Sequence, residues 1–236
     1  MISIIFPCYN EIENLKKNLE ILKKFLLKNK DLEIIFVDNG SSDGTIEYLN
    51  TKFKDFQNVK TVKIKLNKGY GDGIFNGIKV AKYHVVGWMH ADFQVSLSEL
   101  KKGCEMYIKN QKKFNGNLFV KSIRTNRNFA DIIFTFFMSL VVSILFGKKI
   151  HDINSTPNII NKNIFEHIRN IPKDFSFDLF CYILATKRKY KILRYNIKYE
   201  ERLYGHSKWN FSFKSKIYLS LRILKYIIKI RVLGFK

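Results

Sequence analysis

Proline is nearly missing from this chain, with three in 236 residues, and glycine is modest at twelve. Collagen-like and low-complexity architectures are therefore excluded. Cysteine is as sparse. Cys8, Cys104 and Cys181 form an odd, widely spaced set. Such a set supports neither a disulfide framework nor a zinc site, and it points to a reducing compartment. Acidic residues are few, 20 against 42 Lys and Arg, which leaves a net charge of +22. The N-terminus, MISIIFPCYNE, has no basic leader region and only a short apolar run, so it does not read as a signal peptide.

What is present is a core. Apolar residues make up 46% of the chain, too many for a disordered protein and enough for one compact domain, or one domain with a small appendage. The charge excess attracts polyanions: nucleic acid, anionic lipid or phosphorylated substrates. An AT-rich genome would raise lysine and asparagine everywhere, but it would not produce local clusters.

The first half alternates strand and helix. Ser3 to Pro7 reads as a short buried strand. Asn10 reads as a helix cap, with Glu13 three residues on completing a capping box. Ile12, Leu15, Leu19, Leu22 and Leu26 then follow the 3,4,3,4 spacing of one helical face. Leu32 to Val37 is a second strand, ending in Asp38. Gly40 to Gly44 is turn-like, and a short helix follows from Thr45, with Asp43 as its cap. Val59 to Lys65 alternates like a strand. A turn containing Gly69, Gly71 and Gly73 leads into a helix ending near Lys82. Val85 to Met89 is another buried strand, ending in HADFQ, and Ser96 with Glu99 forms a second capping box. Repeated apolar βα units predict a mainly parallel sheet covered by helices. In such sheets ligands bind beyond the carboxyl ends of the strands. The polar segments CYNE, DNGSSDGT and HADFQ all fall there.

The second half is different. Ile132 to Gly147 is sixteen residues without a charge, short of the roughly 20 needed to span a bilayer. A core helix, an interfacial or re-entrant segment and a span all remain open. After Glu201 there is no acidic residue, while Lys208, Lys214, Lys216, Arg222, Lys225, Lys229, Arg231 and Lys236 follow. As a helix, Ile217, Leu221, Leu224 and Ile228 share one side and Arg222, Lys225 and Lys229 a neighbouring stripe. That pattern suits an anionic membrane surface, or a packed helix with solvated lysines.

Four segments in this order, FPCYNEIENL, IIFVDNGSSDGT, NKGYGDGIFNGIKVA with HADFQ following, and RLYGHSK, resemble the family 2 glycosyltransferases with the nucleotide-sugar-binding A-type fold. Within them the chain is most similar to the polyprenyl-phosphate sugar transferases, of the dolichol-phosphate mannosyltransferase kind. The resemblance runs from Phe6 to Lys208. It implies an α/β, Rossmann-like, mainly parallel sheet flanked by helices, with C-terminal membrane-interface helices. The catalytic domain would then be residues 1–210, and residues 211–236 the basic amphipathic helix.

The resemblance also assigns residues. Pro7, Tyr9, Glu11, Asp38 and Asn39 would line the nucleotide site. Tyr9 offers an aromatic face to a base, and Glu11 and Asp38 accept hydrogen bonds from base or ribose. The family often has two acids in tandem; Asn39 keeps an acceptor but removes a charge. Glu11 also suits a helix N-terminus. Lys68, beside the glycine turn, either meets a phosphate or stays solvated. The pattern at HADFQ is commonly Asp-Ala-Asp. A divalent cation there, Mg²⁺ or Mn²⁺, neutralises the leaving nucleotide diphosphate. Asp92 and Gln94 match metal-side positions, Ala91 lies between, and His90 replaces the first acid. Imidazole can coordinate Mn²⁺ or contact phosphate directly. Arg124, in Ser122-Ile123-Arg124, would face an acceptor phosphate. A second arginine, common in the subgroup, has no counterpart in Ile133 to Met138, and Arg127 is spaced differently. Asp152 resembles the acid before the family's small-residue turn. Arg202, Ser207 and Lys208 would converge on the diphosphate, with Gly205 permitting the turn.

The implied reaction is inverting transfer of a sugar from a nucleotide-diphosphate sugar. The acceptor is a polyprenyl phosphate, which needs no base, or a sugar hydroxyl of a surface glycan, which does. Asp178, in FSFDLF, is the candidate base. A peripheral protein on the cytoplasmic face of the membrane is expected. A non-catalytic nucleotide-sugar-binding scaffold is the alternative that His90 raises. A nucleic-acid-binding role is disfavoured by the ordered acids at strand ends.

Overall fold

The computed structural model describes residues 1–126, 143, 152–200 and 226. Seven strands form one sheet: β1 (Ile2–Cys8), β2 (Leu32–Asn39), β3 (Val59–Ile64), β4 (Val85–Trp88), β5 (Leu118–Arg124), β6 (Asn158–Asn161) and β7 (Lys191–Ile197). The spatial order is β3-β2-β1-β4-β6-β5-β7. All pairings are parallel except those of β6, which runs antiparallel to both β4 and β5. The expected mainly parallel sheet is thus present, with one reversed strand that the sequence reading did not anticipate.

Five α-helices accompany it among the described residues: α1 (Ile12–Lys28), α2 (Thr45–Lys52), α3 (Tyr70–Val80), α4 (Leu97–Asn110) and α5 (Phe177–Lys187). On one face of the sheet Leu15, Leu22 and Leu26 of α1 and Leu100 and Cys104 of α4 pack on Ile4, Phe6 and Phe36. On the other, Ile74 and Ile78 of α3 and Phe177 and Phe180 of α5 pack on Ile5, Val37 and Trp88. Each leucine so buried contributes about 1.5–3 kcal/mol relative to exposure. The result is a three-layer sandwich whose strand termini form one rim.

Two local expectations are corrected. Asn10 does not cap α1: its backbone is left-handed, φ 56°, and its side-chain oxygen accepts from Ser42 N instead. The cap comes from the neighbouring loop, where Asp43 Oδ2 accepts from Ile12 N at 3.1 Å and Oδ1 from Thr45 N at 3.0 Å. One carboxylate therefore ties the starts of α1 and α2 together. Gly71 and Gly73 are not in a turn but inside α3. The smallness of Gly71 admits the chain before α5: Asp72 N donates to Lys173 O, and a Cβ on Gly71 would lie 2.8 Å from Phe177 Cβ and closer still to the Pro172 carbonyl. Gly71→Ala is accordingly expected to cost about 1–3 kcal/mol, read as a lower urea midpoint with an unchanged m-value. The Ser96 cap is as expected, with Oγ accepting from Glu99 N.

No helix among the described residues is long and apolar enough to cross a membrane. Apart from Ser143 and Tyr226, the latter packed against the core cluster that contains Trp88, the Ile132–Gly147 segment and residues 211–236 lie outside the described residues.

Candidate active site

Parallel register brings the polar segments to one edge. Cys8 is level with Asp38 across β1 and β2, and Trp88 is level with Ile5 across β1 and β4. His90, two residues past Trp88, therefore stands about level with Pro7. Pro7, Tyr9 and Glu11 are half-buried there. Asp38 is fully buried. Its Oδ1 accepts from Ser41 N at 3.3 Å, while its Oδ2 has no hydrogen-bond partner among the described residues. A buried orphan acceptor is costly, and a ligand N–H or O–H would satisfy it. Asn39 is turned to other work. Its amide donates to Gly69 O at 2.9 Å and to Asn67 Oδ1, pinning the turn that launches α3. Among the described residues the Asn39 Oδ1, like Asp38 Oδ2, is buried with no hydrogen-bond partner, although successive strand residues face opposite sides. Lys68 is exposed.

The loop after β4 is tightly built. Asp92 Oδ1 accepts from Gln94 N at 3.3 Å, and Phe93 adopts a left-handed φ of 53°. Ala91 is buried in the core. His90 is half-buried, its ring stacked on Tyr70 with centroids 4.9 Å apart. Gln94 does not join His90 and Asp92. Its Oε1 accepts from the Tyr199 hydroxyl at 3.0 Å and its amide donates to Glu200 O at 2.9 Å. It anchors the chain after β7, immediately before RLYGHSK; Arg202, Ser207 and Lys208 lie outside the described residues. Among the described residues no three His, Cys, Asp or Glu side chains converge. A carboxylate is a ligand for a hard divalent cation and an imidazole for a first-row transition ion, either of which would take its other ligands from a diphosphate and water.

Residues 3–169 match Glycosyl transferase family 2. The chain belongs to that family. The poly-β-1,6-N-acetyl-D-glucosamine synthase of Staphylococcus epidermidis is 27% identical over 206 residues, covering 85% of this chain and 48% of that protein. The undecaprenyl-phosphate 4-deoxy-4-formamido-L-arabinose transferase of Pectobacterium carotovorum subsp. carotovorum (strain PC1) is 27% identical over 217 residues, covering 89% and 63%. The chain thus spans less than two thirds of the length of these relatives. The crystal structure of glucosyl-3-phosphoglycerate synthase from Mycobacterium tuberculosis, in complex with Mn²⁺, UDP and glucosyl-3-phosphoglycerate, superposes with a TM-score of 0.72 at 14% identity. It covers 98% of this chain and 79% of that one. The A-type glycosyltransferase fold is therefore present.

On the other side of the rim this family 2 chain holds a buried polar network. Arg124 Nε donates to Asp152 Oδ1 at 3.0 Å, its NH2 reaches the same oxygen, and its backbone N donates to Oδ2 at 2.8 Å. Burial opposes ionisation of Asp152, but the adjoining guanidinium more than offsets it and lowers the pKa. The Arg124 guanidinium also lies over the Tyr199 ring, 5.5 Å from its centroid. Asp178 is 1% exposed. Its Oδ1 accepts from Trp88 Nε1 at 2.8 Å and from Asn158 Nδ2 at 3.1 Å. Burial raises its pKa, with Lys121 pulling the other way. Lys121 is fully buried and donates to Ser155 O at 2.8 Å and Asn158 Oδ1 at 2.9 Å. Burial lowers its pKa to about 8. Lys121, Asn158, Trp88 and Tyr70 escaped the sequence reading. The one available signal was a lone charge in the apolar run LFVKSI.

Proposed function

We propose that the protein transfers a sugar from a nucleotide-diphosphate sugar to a polyprenyl phosphate, with inversion, at the cytoplasmic face of a membrane. The observation that carries the donor half is Asp38 Oδ2, unpartnered among the described residues, at the strand-end edge that the loop of His90 and Asp92 shares. Asp38 takes a donor from the base or ribose, and Tyr9 offers its ring. His90 and Asp92 would hold Mg²⁺ or Mn²⁺. Such a cation, when bound, neutralises the departing diphosphate. The solved synthase of the same fold is described with Mn²⁺ and UDP.

Asp178 favours the lipid-phosphate acceptor. A base must come within hydrogen-bond reach of the proton it removes. This carboxyl is sealed and committed to Trp88 and Asn158. A phosphate acceptor arrives already ionised, so the acceptor oxygen can attack the anomeric carbon from the side opposite the diphosphate without a base. The arabinose-transferase relative, which by its name acts on undecaprenyl phosphate, supports this reading. The glucosamine-polymer synthase supports a glycan hydroxyl as the second reading. The uncharged Ile132–Gly147 run and the basic C-terminal stretch supply the means of reaching a bilayer.

The test uses anionic vesicles containing undecaprenyl phosphate and a panel of UDP- and GDP-sugars with Mn²⁺. Radiolabelled sugar is expected to enter the lipid phase. Asp178→Asn, normalised to folded protein, is expected to retain the rate within about 10-fold, whereas loss of a general base costs about 10²–10⁴-fold. A drop of the latter size moves the acceptor to a hydroxyl. A protein that stays wholly soluble among anionic vesicles removes the membrane part.

A further inference from the structure

Three residues of β5 grip one short segment, residues 152–158, which leads into β6. Lys121 Nζ donates to Ser155 O at 2.8 Å and to Asn158 Oδ1 at 2.9 Å. The Ser122 and Ser155 hydroxyls share a hydrogen bond of 2.6 Å, and Ser122 N donates to Pro157 O at 3.2 Å. Arg124 takes hold of Asp152 through its backbone N and its guanidinium. From β7, Arg194 NH2 donates to Ser122 O at 3.2 Å and to Asp152 O at 3.5 Å. Asp152 itself has a left-handed backbone, φ 44°. A non-glycine residue keeps such a conformation where its surroundings over-determine it. The strands carry this assembly to the rim. β5 runs in the same direction as β4, because both oppose β6. Arg124, at the carboxyl end of β5, therefore shares an edge with the loop of His90 and Asp92. Its side chain is 14% exposed.

We propose that Lys121 is a positioning residue for the acceptor: its ammonium holds the 152–158 segment in the arrangement in which Asp152 aims the Arg124 guanidinium at the acceptor phosphate. This rests on the lipid-phosphate reading above. A guanidinium grips phosphate through paired N–H donors in one plane, so its aim matters as much as its charge. Asp152 sets that aim by engaging Nε, NH2 and the backbone N together. What fixes Asp152 is the turn it opens, closed by Ser155 N on Asp152 O at 3.4 Å. Lys121 holds the far end of that turn by the Ser155 carbonyl. With no solvent exposure of its own, Lys121 acts through Asp152 and Arg124 and touches no substrate. Asp178 from α5 and Asp152 favour its ammonium, Arg194 from β7 and Arg124 oppose it, and burial outweighs them all, bringing the pKa to about 8. Charge-assisted hydrogen bonds are roughly twice as strong as neutral ones. The hold on the turn therefore slackens as the amine loses its proton.

The experiment measures initial rates with undecaprenyl phosphate in anionic vesicles, varying acceptor and donor in turn. Rates are referred to folded protein, counted by near-ultraviolet dichroism. Lys121→Met is expected to raise the acceptor KM about 10-fold and to leave the donor KM within about 2-fold. Asp152→Asn, which loosens Arg124 without touching the lysine, is expected to give the same split. In the wild type the acceptor KM is expected to rise about 3-fold between about pH 7 and 9.5, where a phosphate monoester is already ionised. In Lys121→Met it should stay raised and level over that range. A lysine that serves stability alone would lower the folded fraction and leave the KM of the folded molecules unmoved. Should Lys121→Met fail to fold, Asp152→Asn and the wild-type pH profile decide the matter. An unmoved acceptor KM in the folded variants, a donor KM that moves with it, or a level wild-type profile overturns this inference and leaves the lipid-phosphate reading standing. No transfer to the lipid phosphate by the wild type overturns both.

Discussion

Asp92→Ala is expected to abolish sugar transfer while leaving the protein folded. The side chain sits on the loop after β4, at the rim where β1, β2 and β4 end together. Its carboxylate is oriented by Gln94 N, and Phe93 holds the loop in a left-handed turn. A nucleotide diphosphate leaves with negative charge developing on its oxygens, and stabilising that charge is worth several kcal/mol. Removing the carboxylate that would hold the compensating cation translates to a rate loss of about 10³-fold or more. The fold has little at stake, because Asp92 is half-exposed and outside both apolar clusters. Single-turnover transfer, alongside a thermal melt within a few degrees of wild type, checks both halves. Transfer that persists in Asp92→Ala removes the cation from the mechanism.

The rim was legible in the sequence because strand ends write themselves in chemistry. Apolar runs stop at CYNE, DNGSSDGT and HADFQ, and the parallel register puts those stops on one edge. What local pattern cannot show is which neighbour a polar group will find. Asn10 and Glu13 have the spacing of a capping box, yet Asp43, thirty-one positions from Ile12, supplies the cap. Gln94 has the motif's spacing from Asp92, yet Tyr199 and Glu200 capture its amide. Glycines 71 and 73 resemble a turn, yet both are helical, Gly71 facing the chain at Pro172–Asp174 and Gly73 facing Pro7 and Asn39. The reversed strand β6 was invisible for a related reason. It is four residues, NIIN, and its direction is set by β4 and β5 on either side rather than by its own composition. In each case a long-range contact overrode a short-range signal.

Lys121→Met is expected to be the most destabilising single change in the sheet, by about 3–5 kcal/mol. The ammonium has no solvent exposure. It reaches Asp178 through Asn158, whose Oδ1 accepts from Lys121 Nζ at 2.9 Å while its Nδ2 donates to Asp178 Oδ1 at 3.1 Å. Methionine fills the space but leaves the Asn158 oxygen without its donor, takes one of two donors from the Ser155 carbonyl, and removes the cation that most favours the ionised form of Asp178. The double variant Lys121→Met with Asp178→Asn removes both charges, so its loss is expected to fall short of the summed single losses by about 1–3 kcal/mol. The pH dependence has a definite sign. The folded amine, with its pKa lowered by burial to about 8, has given up its proton where the unfolded lysine, at about 10.4, still holds one. Between those values the unfolded chain binds more protons, and stability from this group rises with pH. Urea denaturation at pH 7.5 and 9.5 is therefore expected to show the wild type gaining on Lys121→Met at the higher pH. Strictly additive losses, together with a pH-independent gap, would mean that Lys121 and Asp178 are buried near one another without being coupled.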